Sequence, residues 1–146
     1  VWTATGRRFG ALPPGTCAQK EAVLANVLPC YRATRALNRL RRPADRTYLL
    51  LAEEARYYVD GESYGDWFWK YSYAWLAENS DSTESMVRQF RRAGFRYVLV
   101  NHERAASASS VFFAGFAASA FTRPSVELPG GHLLFSDGRY SVFRLD

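Results

Sequence analysis

Hydrophobic and polar residues in the first third of the chain repeat with the period of a helix. The stretch PPGTCAQKEAVLANVLPCYRATRALNRLRRP predicts two consecutive helices joined at a bend, because Thr16 is a favourable N-cap and Pro29 is tolerated only in a first turn. In the second helix, near 30–42, the apolar residues that should face the core are Ala33, Ala36, Leu37 and Leu40. Pro43 should end this helix.

Two short apolar runs follow, separated by a segment with helical period. RTYLLLAEE predicts a buried strand near 47–52, and FRYVLVN predicts a second one near 96–101. Between them, a helix near 82–93 should be capped by Asp81 with Glu84 as its capping-box partner, and should end at Gly94 in left-handed geometry. These elements form a βαβ-like unit, for which a right-handed crossover is the rule.

The last third of the chain begins with ERAASASSVFFAGFAASAF, a helix-compatible segment, and continues with short strand patterns. Asp137 and Gly138 should form a two-residue hairpin turn between HLLFS and RYSVFRL. The whole pattern predicts one α/β domain over 15–146, with 1–14 as a lead-in from a preceding segment. Its sheet should be mixed and mostly parallel, with about four to six strands flanked by helices and a C-terminal β-hairpin.

The segment DWFWKYSYAWLAE, residues 66–78, carries six aromatic rings. Five of them alternate as in a strand, but Trp67, Tyr71 and Trp75 also share one face of a helix, so the period alone does not decide. Gly65 and Asp66 resemble a helix start and AWLAE favours a helix, so a short helix is predicted. Some rings should fill the core and the surplus should meet a membrane interface, another part of the protein or a sugar. Core packing alone is the alternative. The candidate binding residues are Trp67, Trp69, Tyr71 and Tyr73.

Charge adds a second candidate surface. The chain has 19 Lys and Arg against 14 Asp and Glu, a formal charge of +5, and most of the cations are arginine. Four of them should occupy the solvent side of the second helix: Arg32, Arg35, Arg39 and Arg42. Because neighbouring arginines repel, phosphates, acidic residues or an anionic membrane surface are expected opposite them. The alternative is an ordinary solvated face balanced by Asp45, Asp60 or Glu62.

A third candidate lies where the two predicted central strands end. Ligands of open α/β sheets bind beyond the carboxyl ends of the strands. Those ends carry Glu53, Glu54 and Arg56 after the first strand, and Asn101 and His102 after the second, followed by Glu103 and Arg104. They predict a polar pocket with both charge signs. The alternative is that these loop residues are solvated or paired with each other.

Several chemistries have no support in the sequence. There is no Gly-rich phosphate loop, no GxSxG and no HExxH, and His102 and His132 are far apart without a cysteine near either. Cys17 and Cys30 lack zinc-site spacing and should be two unbridged, packed thiols, because a helix separates them. We therefore predict no metal and no cofactor.

Three stretches, ALNRLRRPADRTYLLLAEEARYYVDG, MVRQFRRAGFRYVLVN and the closing GRYSVFRLD, together resemble a known domain. It is the soluble C-terminal domain of bacterial polytopic glycosyltransferases of the GT-C type, akin to aminoarabinose transferases and protein O-mannosyltransferases, which use polyprenyl-phosphate sugar donors. The resemblance implies an accessory periplasmic domain, inactive alone, because the catalytic acids of that family lie on loops between membrane helices. It implies the transmembrane portion of the same polypeptide as partner, together with anionic lipid or lipid-linked sugar, and no nucleic acid.

A second hypothesis from a different class stays open. Arginines interleaved with aromatic residues are also typical of an independent module that binds a sugar or an anionic polymer. The complete gene distinguishes the two hypotheses, because many membrane helices before Val1 are expected only from the glycosyltransferase.

Overall fold

The computed structural model describes residues 16–108 and 127–146. Within these ranges the helices are α1 (Cys17–Val27), α2 (Tyr31–Leu40), α3 (Tyr73–Asn79), α4 (Thr83–Arg92) and α5 (His102–Ala108). The strands are β1 (Arg46–Leu50), β2 (Ser63–Tyr64), β3 (Phe95–Asn101), β4 (Gly131–Ser136) and β5 (Tyr140–Leu145), and a 3₁₀ turn spans Glu53–Tyr57. The predicted central strands and the helices near 30–42 and 82–93 are confirmed. The predicted helix-compatible segment ERAASASSVFFAGFAASAF begins within α5, and the rest of it lies outside the described residues.

The strands form one sheet in the order β2-β1-β3-β5-β4. β1 pairs in parallel with β2 and β3, whereas β5 pairs antiparallel with β3 and β4. The predicted α/β class, the mixed sheet of five strands and the C-terminal hairpin are therefore confirmed. Parallel pairing makes up half of the sheet rather than most of it, because the hairpin joins β3 in the antiparallel sense.

Both faces of the central strands are covered, which explains the apolar runs 48–50 in β1 and 97–100 in β3. Successive side chains of a strand point to opposite faces. Tyr48 and Leu50 of β1 accordingly belong to the core under α3 and α4, and Leu49 belongs to the core under α2. In β3 the same alternation sends Val98 to the first core and Leu99 to the second. The helices thus bury the central strands from both sides, whereas the edge strand β4 is largely exposed.

The helix starts and ends follow local capping rules, with one correction. Thr16 and Gln19 form a reciprocal capping box at the start of α1, and Gly94 leaves α4 with a left-handed φ of +82°. Asp81 does not cap α4, so that prediction is wrong. Ser82 caps it instead, since its Oγ accepts the Ser85 N–H at 3.1 Å.

The core side of α2 differs at its last residue from the predicted pattern. Ala33 and Leu37 are buried as expected, Ala36 is only partly buried, and Leu40 is 53% exposed because the helix ends there. Thr34 takes a buried place instead, and it can do so because its hydroxyl donates to backbone carbonyls of Cys30 and Tyr31.

The hairpin turn between β4 and β5 has two residues, Gly138 and Arg139, because Ser136 pairs with Ser141 and the Asp137 N–H donates to the Tyr140 carbonyl at 3.1 Å. The predicted two-residue turn is confirmed in length, but it lies one residue later than Asp137 and Gly138. The carboxylate of Asp137 accepts the backbone N–H groups of Arg139 and Tyr140 at 3.0 and 2.8 Å, which keeps Arg139 within the turn. Gly138 supplies the positive φ, +87°, that this turn requires.

The two thiols are unbridged, as predicted, but they differ in surroundings. Cys30 is buried between α2 and the sheet, whereas Cys17 is exposed at the start of α1, so the expectation of packing holds for Cys30 alone. Burial, and then the charge of Glu54, raises the pKa of the Cys30 thiol.

Candidate functional site

Three polar side chains meet where β1 and β3 end and β5 begins. The hydroxyl of Tyr140 donates to Glu54 Oε1 at 2.7 Å, and Asn101 Nδ2 donates to the same oxygen at 2.9 Å. Asn101 and Tyr140 face each other in the β3–β5 register, and both are almost fully buried. The structure therefore brings the predicted residues Glu54 and Asn101 together, with Tyr140 as a third member.

Arg104 closes this cluster on its outer side. Its guanidinium lies 2.9 Å from Glu53 and 3.5 Å from Glu54, and its backbone N–H donates to Asn101 Oδ1 at 3.1 Å. Burial, and then the bond to Glu54, raises the pKa of Tyr140, so its hydroxyl stays a donor. The loop residues thus pair with each other, which is the alternative that the sequence left open.

His102 contacts the next residue of β5. Its ring is 2% exposed, and Nε2 lies 2.8 Å from Ser141 Oγ, which is in turn 3.0 Å from Ser136 Oγ. A histidine beside a serine is the arrangement of a base and a nucleophile, but Ser141 is fully buried, where no substrate reaches it. The contact joins α5 to the hairpin.

Arg56 serves the aromatic segment rather than the cluster. Its guanidinium lies 2.8 Å from Asp66, and the other oxygen of that carboxylate accepts the N–H groups of Phe68 and Trp69, each at 3.0 Å. This arrangement, together with φ values of +111° at Gly65 and +84° at Tyr71, keeps residues 66–72 out of a helix. The predicted helix start at Gly65–Asp66 is therefore wrong, and α3 begins at Tyr73 with Ser72 as its cap.

The rings of this segment divide between core and surface. Tyr73 is 1% exposed, and its hydroxyl lies within 3.0 Å of Leu51 N, Leu49 O and Gly65 O. Tyr71 is half-buried against Tyr64 and Phe95. Trp67, Phe68 and Trp69 are exposed by 38, 92 and 67%, respectively. We call these three residues the aromatic tip; it includes Phe68, which was not among the sequence candidates.

The arginines of α2 border a groove of about 530 Å³ between α1 and α2. Arg32 and Arg39 are exposed, and Arg35 forms an ion pair with Glu21 of α1. The hydrogen bond from Arg35 lowers the pKa of Glu21. Arg42 lies beyond the helix, where its backbone N–H donates to Asp45 at 2.7 Å. The acid that the structure places against this face is therefore Glu21, which sequence reasoning missed.

The described residues contain neither a cluster of metal ligands nor a helix that could span a membrane. Across 16–108 and 127–146, no three His, Cys, Asp or Glu side chains are grouped so that they could hold a metal ion. In the same ranges, none of the helices has the length and apolar character needed to cross a membrane.

A family model described as SF2091/S2213 matches residues 19–126, more than half of the chain. The chain belongs to this family. Neither a curated protein nor a solved structure matches the chain itself. The range matched by the SF2091/S2213 model contains the α2 arginines, the aromatic tip and the pair Glu54 and Asn101, whereas Tyr140 lies beyond it.

Of Asp66, Glu21 and Tyr140, whose roles sequence reasoning missed, only Asp66 left a readable signal in the sequence. Asp66 follows a glycine and precedes two residues whose N–H groups it accepts, a pattern typical of Asx turns. Glu21 stands one helix away from Arg35, and only the packing of α1 on α2 reveals that they pair. Tyr140 left no signal, because its partner Glu54 is 86 residues away in sequence.

Proposed function

We propose that the chain is an accessory, non-catalytic domain of a polytopic membrane glycosyltransferase of the GT-C type that uses polyprenyl-phosphate sugar donors. The domain would stand on the extracytoplasmic, periplasmic face of the membrane, docked on the transmembrane portion of the same polypeptide, and would help to shape the entrance for donor or acceptor. Anionic lipid or lipid-linked sugar is the further partner.

The observation that carries this proposal is the aromatic tip. Large exposed apolar groups next to one another are typical of surfaces that a partner or a membrane covers. The backbone that carries the tip is fixed by Asp66 and Arg56, so its exposure is a built feature. Tryptophan favours places where one end of the ring is apolar and the other is wet, as at a membrane interface.

The non-catalytic part of the proposal is supported by the carboxylates after β1. Glycosyl chemistry requires one carboxyl group as acid or base and a second carboxylate facing it across the substrate. Glu53 and Glu54 both contact Arg104, and Glu54 also accepts bonds from Asn101 and Tyr140. These contacts hold the two groups as structural anions.

Photo-crosslinking in the intact membrane tests the docking. A benzoylphenylalanine at Phe68 of the complete protein should crosslink to lipid or to the transmembrane portion, because this side chain is 92% exposed at the tip. Benzoylphenylalanine in place of Arg88, which is exposed on α4, is the matched control and should give no such product. Equal products from both positions, or a complete protein that fractionates without the membrane, would contradict the proposal.

Turnover by the purified chain tests the non-catalytic part separately. With a polyprenyl-phosphate sugar and acceptor, the purified chain should transfer no sugar. Measurable transfer that Glu54→Gln abolishes would show that the carboxylates act in catalysis.

The α1–α2 groove favours a second candidate, an independent module that binds a sugar or an anionic polymer. Its arginines suit phosphate or carboxylate groups. In this case the complete protein would fractionate without membranes, and the groove rather than the tip would carry the binding.

A further inference from the structure

α1 packs loosely on the rest of the domain. None of its residues is fully buried, although Ala18, Ala22 and Ala25 share one side of the helix. This alanine side faces α2 across the α1–α2 groove instead of filling it. The groove therefore leaves the alanine side chains of α1 open to contact with another group.

The two walls of the groove differ in chemistry. The α1 wall is formed by the alanines, and Phe135 of β4 adds a ring. The α2 wall presents Arg32, Arg35 and Arg39 beside Tyr31 and Ala36. Against these three arginines the groove holds one acid, Glu21, which is already paired with Arg35. Cations in excess beside an apolar wall match a ligand with an anionic head and an apolar body.

The rest of the chain offers little to neutralise the free arginines. Within the described residues, no carboxylate forms an ion pair with Arg32 or Arg39, which are both exposed. Residues 1–15 and 109–126 contain neither Asp nor Glu, so these segments bring no anion to the groove. The groove therefore keeps an excess of positive charge that an anionic ligand would neutralise.

We propose that the α1–α2 groove binds an anionic phospholipid, with the headgroup phosphate between Arg32 and Arg39 and the start of an acyl chain along the alanines of α1. Guanidinium groups form charge-assisted hydrogen bonds with phosphate oxygens. The groove volume, about 530 Å³, lies within the range of small-molecule sites, roughly 300–1,000 Å³. The choice of a lipid as the source of the phosphate rests on the proposed function, which places the domain at a membrane.

Soluble short-chain lipids test the groove without any membrane. Dihexanoylphosphatidylglycerol, below its micelle concentration, should bind the purified chain saturably and shift the amide NMR signals of Ala22 and Arg32. Dihexanoylphosphatidylcholine carries the same chains and phosphate but no net charge, and should bind at least several-fold more weakly, because its trimethylammonium group brings a positive charge close to Arg32 and Arg39. Inorganic phosphate lacks the apolar part and should also bind more weakly.

Three variants give effects of different sign. The double change Arg32→Gln and Arg39→Gln should weaken binding by about tenfold or more, whereas Glu21→Gln, which removes the competing acid, should strengthen it several-fold. Ala22→Phe should block the place of the acyl chain and so weaken lipid binding, but it should leave the weak binding of inorganic phosphate unchanged. The matched control is Arg88→Gln with Arg96→Gln, which removes the same charge from exposed positions elsewhere and should change the affinity by less than about twofold.

Some results would overturn the inference. An equal loss in the control double variant would show that only net charge matters, and equal affinity for inorganic phosphate would show that the site takes a free anion and not a lipid. Absence of saturable binding by the wild-type chain would mean that the groove is not a ligand site. The crosslinking at Phe68 does not depend on the groove, so failure of this inference and failure of the proposed function are distinguishable.

Discussion

At the scale of single residues, Gly65 has the strictest requirement. Its φ of +111° is rarely adopted by residues with a side chain, and a Cβ there would lie 2.2 Å from the carbonyl oxygen of Leu49 in β1. The sequence shows a glycine before an aspartate, which resembles a helix start. The close approach to β1 is a tertiary contact, and no local pattern indicates it.

Gly65→Ala should therefore lower the free energy of unfolding by about 3 kcal/mol or more, because backbone strain and a clash with fixed backbone act together. Gly138→Ala is the matched control. It has a similar φ, +87°, but nothing within 4 Å of the new Cβ, so strain alone should cost about 1–2 kcal/mol. Urea unfolding of the two variants measures the difference, and equal losses would mean that the approach to Leu49 relaxes freely.

Tyr140 gives a second prediction at this scale. Tyr140→Phe removes one of the donors to Glu54 and should lower the free energy of unfolding by about 1–2 kcal/mol, because a partly buried carboxylate loses a charge-assisted bond. Tyr57→Phe is the control, since Tyr57 is 89% exposed and should leave stability unchanged. A neutral result at Tyr140 would show that water replaces its hydroxyl.

At the scale of elements, predictability depends on where the determining contacts lie. β1, β3, α2 and α4 could be read from the sequence because burial gives each a regular apolar pattern. Residues 66–72 could not, since their path is set by Asp66, Arg56 and Gly65 rather than by periodicity. The hairpin turn was predicted one residue too early for a related reason, because Asp137 stands before the turn and accepts the N–H groups of Arg139 and Tyr140. The candidate residues were found in part, but their pairing required the fold.

The start of α4 tests this distinction. Ser82→Ala should lower the free energy of unfolding by about 1 kcal/mol, because it removes the N-cap bond to Ser85, whereas Asp81→Ala should cost less than about 0.5 kcal/mol. Thermal unfolding of both variants is the measurement. A larger loss for Asp81→Ala would restore the cap that the sequence predicted.

At the scale of the whole molecule, the domain consists of two cores that share one sheet, and the buried tyrosines belong to both. Tyr48 and Tyr73 lie in the core under α3 and α4, and Tyr140 lies in the core under α2. Burial raises the pKa of all three phenols; the charge of Asp66 adds to the effect at Tyr48, and the charge of Glu53 adds to it at Tyr73. Each therefore stays neutral in the folded state at pH values where it ionises in the unfolded chain.

Stability should accordingly fall at alkaline pH. The contribution is fully present below the unfolded tyrosine pKa, about 10, and is lost above it, because only the unfolded chain releases the protons. The slope should approach about 1.4 kcal/mol per pH unit for each tyrosine. Urea unfolding between pH 8 and about 11.5 measures it, and Tyr48→Phe should reduce the slope by one such increment. A flat profile would mean that the phenols become solvated without unfolding.

The unequal burial of the two thiols gives α1 a natural attachment point. A maleimide dye at neutral pH should modify Cys17 and spare Cys30, because Cys30 is buried and its raised pKa keeps the thiol protonated. Mass spectrometry should therefore show one adduct. Two adducts would contradict this prediction. Cys17 immediately precedes Ala18, which lines the α1–α2 groove. The unmodified sequence therefore accepts a single fluorophore or spin label beside the groove, and the position of α1 can be followed in solution without introducing or removing a cysteine.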